Sequence, residues 1–193
     1  DFAYQSLVEF RDRLEQQNCE LPCTLIHAEL PELNVPSMYD TVDGYDPPCF
    51  QVVSCQFALH YMSDLRAFFQ AWAPALDEKG YFIATTVDAE APLVRRACEQ
   101  GSVTVVDDCD REVCYIRFET ETTYYMRMTE YDTEAPDAPG QVYVEGVEHV
   151  VRPEQLVEEA GLSGLVLVQR ENFHNFAVSH GDDPLLSVMV GPT

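Results

Sequence analysis

Two stretches of the sequence carry apolar side chains at the three- and four-residue spacing of an amphipathic helix. The first stretch is residues 1–17 and the second is residues 62–76. In the second stretch Ser63 or Asp64 can cap the N-terminus, because both side chains accept hydrogen bonds from free backbone N–H groups. Proline has no such N–H, so we expect Pro74 to shorten or kink this helix.

Short runs of apolar and β-branched residues alternate with these helices. They predict strands over residues 23–28, 50–55 and 80–87, with a turn at 77–80 before the third strand and a further helix at 92–100. Alternation of strand and helix along a chain is typical of a parallel sheet with helices on both faces. The first half of the chain is therefore predicted to be a doubly wound α/β layer.

The pattern changes after residue 110, where strands are predicted without helices between them. These strands cover residues 112–118, 122–128 and 141–146. We predict that they form an antiparallel element, at 111–146, inserted into, or laid over, the α/β core. A helix with a proline in its first turn is predicted at 153–160. Two apolar runs, at 164–169 and 185–190, are predicted to close the sheet as an antiparallel pair.

The charge balance restricts what the protein can bind. Its 193 residues include 34 acidic and 11 basic side chains, which give a net charge of -23 at pH 7. Such a surface repels nucleic acid at long range, so an anionic partner needs a local pocket, another protein or a further basic segment. No apolar run approaches the ~20 residues of a membrane-spanning helix, so no membrane partner is expected.

Cysteine and histidine spacing gives no indication of a metal centre. The seven cysteines include no C-x-x-C pair, which is typical of free thiols in a reducing, intracellular setting, either nuclear or cytoplasmic. Four of the five histidines share no spacing with one another, so no metal site is predicted. These four are His27, His149, His174 and His180.

Polar side chains follow the predicted parallel strands, at the edge where open α/β sheets bind their ligands. Gln56, His60 and Tyr61 come just past the second strand in the run FQVVSCQFALHY. Glu29 takes the corresponding place after the first strand. Asp1 sits at the start of the first helix, at the place of an acid that ends a preceding strand, and such an acid characteristically holds ribose hydroxyls. These positions predict a nucleoside cofactor.

Five segments that contain these residues resemble the eukaryotic-type mRNA cap guanine-N7 methyltransferases. They are DFAYQSLVEFRDRL, HAEL, VVSCQFALHY, GYFIATTVDAEAPLVRR and VEGVEHVVRPEQLVEEA, in the family's order. The pattern S-C-Q-F-x-x-H-Y is specific to that family. The resemblance implies one Rossmann-like, class I methyltransferase domain over residues 1–193, with the antiparallel insertion inside it. The family's first strand and glycine-rich motif, which precede DFAYQSL, are expected to be missing from this sequence.

The resemblance implies an enzyme that uses S-adenosyl-L-methionine to methylate N7 of the guanine cap of GpppRNA. Asp1 matches the acid that binds the cofactor's ribose. Glu29 matches an acid near the adenine, where the family usually has Asp. Gln56 and Tyr61 match two further positions of the cofactor pocket.

Four residues match the family's site for the cap guanine. His60 matches a position that contacts the cap, with Phe57 and Tyr61 close by. Glu154 matches the acid that accepts hydrogen bonds from guanine N1 and N2. No acid or base is required, because N7 already carries its lone pair and the site only has to align the reactants. The implied partners are the capped RNA 5' end (GpppN) and a guanylyltransferase domain or other capping-enzyme subunit.

Departures from the family pattern leave other interpretations open. Val87 replaces a proline that packs on the cap, and residues 185–190 lack an aromatic residue that the family places near it. The chain could instead be a methyltransferase scaffold for a small molecule, or a non-catalytic subunit that stabilises an active partner. His60 by itself could be a packed structural histidine, and Glu154 could serve only to complement its helix dipole.

Overall fold

The computed structural model describes residues 4–17, 50–132 and 139–180. Its helices are α1 (Tyr4–Gln16), α2 (Leu65–Trp72), α3 (Pro92–Gln100), α4 (Pro153–Leu162) and α5 (Phe173–His180). Its strands are β1 (Phe50–Gln56), β2 (Leu76–Thr85), β3 (Ser102–Val106), β4 (Glu112–Phe118), β5 (Thr123–Glu130) and β6 (Gln141–His149). The strands predicted at 23–28 and 185–190 lie outside the described residues. Among the helices of the described ranges, none combines the length and apolar character needed to cross a bilayer.

Strands β1 and β2 pair in parallel, as the alternation of strand and helix predicts. Phe50 pairs with Leu76, but Val52 pairs with Tyr81, so four residues of β2 bulge past one residue of β1. The prediction of a separate turn at 77–80 is therefore wrong, because these residues form an irregularity inside β2. Glycine suits this bulge, since a Cβ on Gly80 would lie only 3.0 Å from the Phe50 carbonyl oxygen.

Helix α2 begins and ends for the reasons that its sequence indicates. The Asp64 side chain accepts a hydrogen bond of 2.9 Å from the Ala67 N–H and so caps the helix. The α-helix ends at Trp72, and Pro74 lies in the 3₁₀ turn that follows. The predicted cap and the predicted effect of Pro74 are both confirmed.

The core beside the parallel sheet joins α2 to α4. Buried side chains from the end of β1, from the connection to α2, from α2 itself and from the connection between β6 and α4 form one cluster. Its members are Cys55, Leu59, Met62, Leu65, Phe68, Phe69 and Val151. Because Leu59 and Val151 share this core, the segment after β1 is held against the segment after β6.

The remaining strands form a four-stranded antiparallel sheet in the order β3-β4-β5-β6. The three predicted antiparallel strands are confirmed, whereas β3 was not predicted and places the start of the sheet at Ser102. Helix α3 covers the inner face, where Val94 and Ala97 pack against Ile116 and Tyr124. The assignment of 111–146 as a separate insertion stays a prediction.

Two elements near the end of the described chain differ from the prediction. Residues 164–169 form neither helix nor strand, and Val166 and Val168 are largely exposed. A strand exists only when its backbone groups pair, so apolar, β-branched composition does not suffice to make one. The helix α5 was not predicted, because its eight residues lack a clear apolar stripe.

Candidate functional site

A strained turn ends β1 and turns the chain out of the parallel sheet. Phe57 has a φ of 49°, in the left-handed region that non-glycine residues seldom adopt. Its N–H donates to both the carbonyl oxygen and the hydroxyl oxygen of Thr85, at 3.0 and 2.9 Å. The Phe57 ring is 58% exposed and lies 5.7 Å, between ring centroids, from the ring of Phe173. The turn therefore presents an aromatic face at the carboxyl edge of the sheet.

The next turn buries His60 and exposes its neighbour. Leu59–Tyr61 form a short 3₁₀ helix in which His60 is only 4% exposed, whereas Tyr61 is 48% exposed. The two rings lie 4.3 Å apart between centroids. His60 Nδ1 lies 3.4 Å from the hydroxyl oxygen of Thr86, which follows β2. The buried His60 ring thus packs against the exposed Tyr61 ring.

The other ring nitrogen of His60 faces a buried carboxyl group that the sequence did not indicate. His60 Nε2 lies 3.9 Å from Oε1 of Glu148 on β6, and Glu148 is 1% exposed. The buried hydroxyl of Tyr124, directly opposite on β5, donates to Glu148 Oε2 at 2.7 Å. The antiparallel sheet therefore reaches the predicted site through this pair.

Sequence reasoning missed Glu148 because the polarity of β6 is misleading. Val147 is half exposed while the neighbouring Glu148 is buried, the reverse of the usual preference. The facing strand decides the orientation, because Glu148 pairs with Tyr124 and Gly146 pairs with Met126 on the inner face. Only a register assignment could have found the residue.

Burial determines the ionisation of this cluster. It lowers the pKa of His60 below the ordinary value of 6.5. It raises the pKa of Glu148, while the hydrogen bond from Tyr124 opposes that rise. The pKa of Tyr61 is also raised, first by burial and then by the negative charge of Glu148. His60 is therefore a neutral imidazole at neutral pH, and Glu148 is electrostatically coupled to Tyr61.

The structure brings together some of the predicted site residues but not all of them. Gln56 ends β1 and is exposed, with its amide nitrogen 2.9 Å from the Ser54 hydroxyl oxygen. Glu154 is exposed in the first turn of α4. Asp1 and Glu29 lie outside the described residues. Within the described ranges no group of His, Cys, Asp or Glu side chains could hold a metal ion.

Comparison with solved structures identifies the fold. An S-adenosylmethionine-dependent methyltransferase from Mesorhizobium loti matches with a TM-score of 0.50 and 16% identity, over 94% of this chain and 71% of that one. A protein from Pyrococcus horikoshii matches with a TM-score of 0.47 and 13% identity, over 84% of this chain and 62% of that one. The first match supports the predicted class I methyltransferase fold.

Comparison with sequence families identifies the enzyme class. No curated protein matches the sequence significantly. The profile of the mRNA (guanine-N(7))-methyltransferase domain, however, matches residues 5–187, which is nearly the whole chain. This match confirms the predicted family and its activity, the S-adenosylmethionine-dependent methylation of the guanine cap. The chain belongs to the mRNA (guanine-N(7))-methyltransferase domain family.

Proposed function

We propose that the edge of the parallel sheet around Gln56, Phe57 and Tyr61 holds S-adenosylmethionine next to the guanine of a capped RNA, with Glu154 reading the guanine edge. One observation supports this placement above the others. Two exposed aromatic rings, Phe57 and Tyr61, flank the buried His60 in the run that carries the family pattern. Methylation of guanine N7 takes place at this edge.

The described residues fit a purine nucleoside. Exposed aromatic faces bind flat bases, and such stacking contributes about 1–3 kcal/mol per base. The Gln56 amide offers both a donor and an acceptor to the polar edge of a base or ribose. S-adenosylmethionine, when bound, supplies a methyl group on a positively charged sulfur. Gln56 and one of the two rings are the described residues that would hold it.

Alignment is the main contribution of this site to catalysis. Guanine N7 needs no deprotonation, and the buried, neutral His60 does not have to accept a proton. Rigid orientation of two reactants can supply roughly 7–11 kcal/mol of the barrier. The bifurcated hydrogen bond of the Phe57 N–H and the core contacts of Leu59 provide that rigidity on both sides of the site.

Guanine selectivity is assigned to Glu154. A carboxylate can accept hydrogen bonds from guanine N1–H and N2–H, and adenine has neither group at those positions. Glu154 is exposed near the end of β6, and Val151, three residues before it, packs in the same core as Leu59. The start of α4 is thus held next to the segment that carries His60 and Tyr61.

Charge restricts how the rest of the RNA is held. Six described arginines form ion pairs with carboxylates of the same chain, so their charge is largely compensated. The pairs are Arg11 with Asp12, Arg66 with Glu159, Arg111 with Asp107, Arg117 with Glu119, Arg127 with Glu112 and Arg170 with Glu90. We therefore propose that this chain recognises the cap base, while a guanylyltransferase domain or another capping subunit contacts the RNA phosphates.

The cellular setting proposed here is a reducing one, either the nucleus or the cytoplasm. The four cysteines in the described part of the chain, Cys55, Cys98, Cys109 and Cys114, are free thiols. Free thiols persist in reducing compartments, where capped RNA is also made or used.

A methyl-transfer assay tests the proposed function. The full-length protein should transfer a labelled methyl group from S-adenosylmethionine to GpppRNA and not to ApppRNA. Glu154→Gln should lower the GpppRNA rate about tenfold or more, because a hydrogen-bonded charge contributes about 1.5–3 kcal/mol. Glu158→Gln, which changes an exposed residue on the same helix, is the matched control and should leave the rate unchanged.

Each failure of this assay has a distinct meaning. Equal transfer to ApppRNA and GpppRNA would refute guanine recognition. Transfer to neither RNA by an intact protein would favour the stabilising-subunit interpretation. Equal rates for the two glutamate variants would show that another residue reads the guanine edge.

A further inference from the structure

The buried pair of Glu148 and Tyr124 has no part in the proposed binding of cofactor or cap. Both side chains are 1% exposed, so neither can touch a substrate. A carboxyl group is seldom buried this completely, because loss of hydration penalises its charged form. Its Oε2 accepts a hydrogen bond of 2.7 Å from the Tyr124 hydroxyl, and its Oε1 faces His60.

We propose that Glu148 is a positioning residue that fixes the tautomer and orientation of His60 and, through that ring, holds Tyr61 in place. This inference rests on the proposed function, since Tyr61 belongs to the proposed site. Glu148 acts on the substrates only through His60 and Tyr61, at the junction of the two sheets.

The tautomer follows from the groups around the imidazole. A neutral imidazole has one N–H donor and one acceptor nitrogen. Oε1 of Glu148 lies 3.9 Å from Nε2, beyond direct hydrogen-bond distance, and the electron-rich carboxyl oxygen favours the proton on the nitrogen that faces it. Nδ1 is then the acceptor, and the Thr86 hydroxyl at 3.4 Å is its donor.

The orientation of His60 passes directly to Tyr61. The two residues are neighbours in one 3₁₀ turn, and their rings are 4.3 Å apart between centroids. The Tyr61 ring is open to solvent on one side and rests on His60 on another, so rotation of the imidazole would shift it. Misplacement of a positioning group by about 1 Å can lower a rate by as much as 10²-fold.

Glu148→Gln is the variant that separates orientation from simple packing. Glutamine has the same shape, and its amide oxygen still accepts from the Tyr124 hydroxyl. Its amide N–H then faces Nε2 of His60, so Nε2 becomes the acceptor and the proton moves to Nδ1, which donates to Thr86. Because glutamine keeps the shape of the side chain and the hydrogen bond from Tyr124, the melting temperature should change little.

A second glutamate on the same strand provides the matched control. Glu145 accepts a hydrogen bond from Tyr125, just as Glu148 does from Tyr124, but that pair lies on the exposed face of β5 and β6. Glu145→Gln changes the same chemistry on the same strands without facing His60.

The experiment measures the tautomer of His60 in the full-length protein by ¹H–¹⁵N correlation of the imidazole nitrogens, with signals assigned by the loss seen in His60→Asn. The wild-type protein and Glu145→Gln should show the Nε2–H tautomer, and Glu148→Gln the Nδ1–H tautomer. The kcat for GpppRNA should fall about tenfold in Glu148→Gln alone.

Three results would overturn the inference. The first is an unchanged Nε2–H tautomer in Glu148→Gln. The second is a changed tautomer with unchanged kcat. The third is a fall in kcat that comes with a lower melting temperature of Glu148→Gln, which indicates packing alone. A wild-type protein that methylates no capped RNA would refute the proposed function, and the tautomer measurement would then still decide whether Glu148 orients His60.

Discussion

Phe57 should store backbone strain that glycine relieves. Its φ of 49° lies in the left-handed region, where a residue with a Cβ loses about 1–2 kcal/mol. Glycine has an opposing effect, because it gives the unfolded chain more conformational freedom than alanine does. This effect lowers the free energy of unfolding of a glycine variant by about 0.4–1 kcal/mol relative to alanine. The difference predicts that Phe57→Gly is more stable than Phe57→Ala by about 0.5–1 kcal/mol.

Both variants lack the Phe57 ring, so the difference in stability between them reports only the effect of the backbone conformation. Thermal unfolding by circular dichroism should place Phe57→Gly about 2 °C above Phe57→Ala, since 1 kcal/mol shifts a chain of this size by about 2–4 °C. Ala58→Gly is the control, because Ala58 has a φ of -131° and glycine there should only destabilise. A Phe57→Gly protein less stable than Phe57→Ala would refute the strain argument.

The same two variants test whether the Phe57 ring contacts the cap or the cofactor. Both remove an exposed ring of the proposed site, so both should weaken binding of a GpppG cap analogue or S-adenosylmethionine by about 1–3 kcal/mol, the contribution of one stacked base. Calorimetry with each ligand shows which of the two rests on this ring. Unchanged affinity for both ligands would remove Phe57 from the site.

Three further predictions concern stability. Leu59→Ala should lower the free energy of unfolding by about 2–5 kcal/mol in denaturant titration, because Leu59 is fully buried in the core. Arg66→Ala, which breaks the exposed ion pair with Glu159, should lower it by less than about 1 kcal/mol, and a larger loss would contradict that pair's exposure. Burial raises the pKa of Cys55 from 9.0 to about 11, so the unfolded thiol loses its proton first, and the contribution of Cys55 to stability should decline between these pH values. Cys55→Ala should show a smaller decline between pH 9 and 11, and equal slopes would contradict this.

The sequence was most informative where local rules decide the structure. Asp64 caps α2 through a neighbouring N–H, and Pro74 ends it, because both effects act within one helical turn. The apolar, β-branched run at 50–55 predicted a strand with Gln56, His60 and Tyr61 just past it, and in the structure β1 ends at Gln56 with the other two in the following turn. Short-range chemistry of this kind can be read from a single chain.

The local sequence pattern was least informative where a structure depends on pairing with a distant segment of the chain. The apolar run at 164–169 predicted a strand, but within the described residues it pairs with nothing in a sheet and its valines are exposed. Residues 77–80 were predicted as a turn, yet the register of β1 against β2 makes them a bulge. Pairing between strands distant in sequence is set by contacts that no local window contains.

The sequence by itself determined the family, the order of strands and helices around the site, and the identity of the residues past β1. Only the tertiary structure decided which of those residues are accessible: Phe57 and Tyr61 are exposed while His60 is buried. It also placed Glu148 beneath His60, because the register of β6 against Tyr124 on β5 turns that carboxyl group inward. Burial and long-range register arise from packing between elements far apart along the chain, and for that reason the buried half of the site could not be predicted from the residues alone.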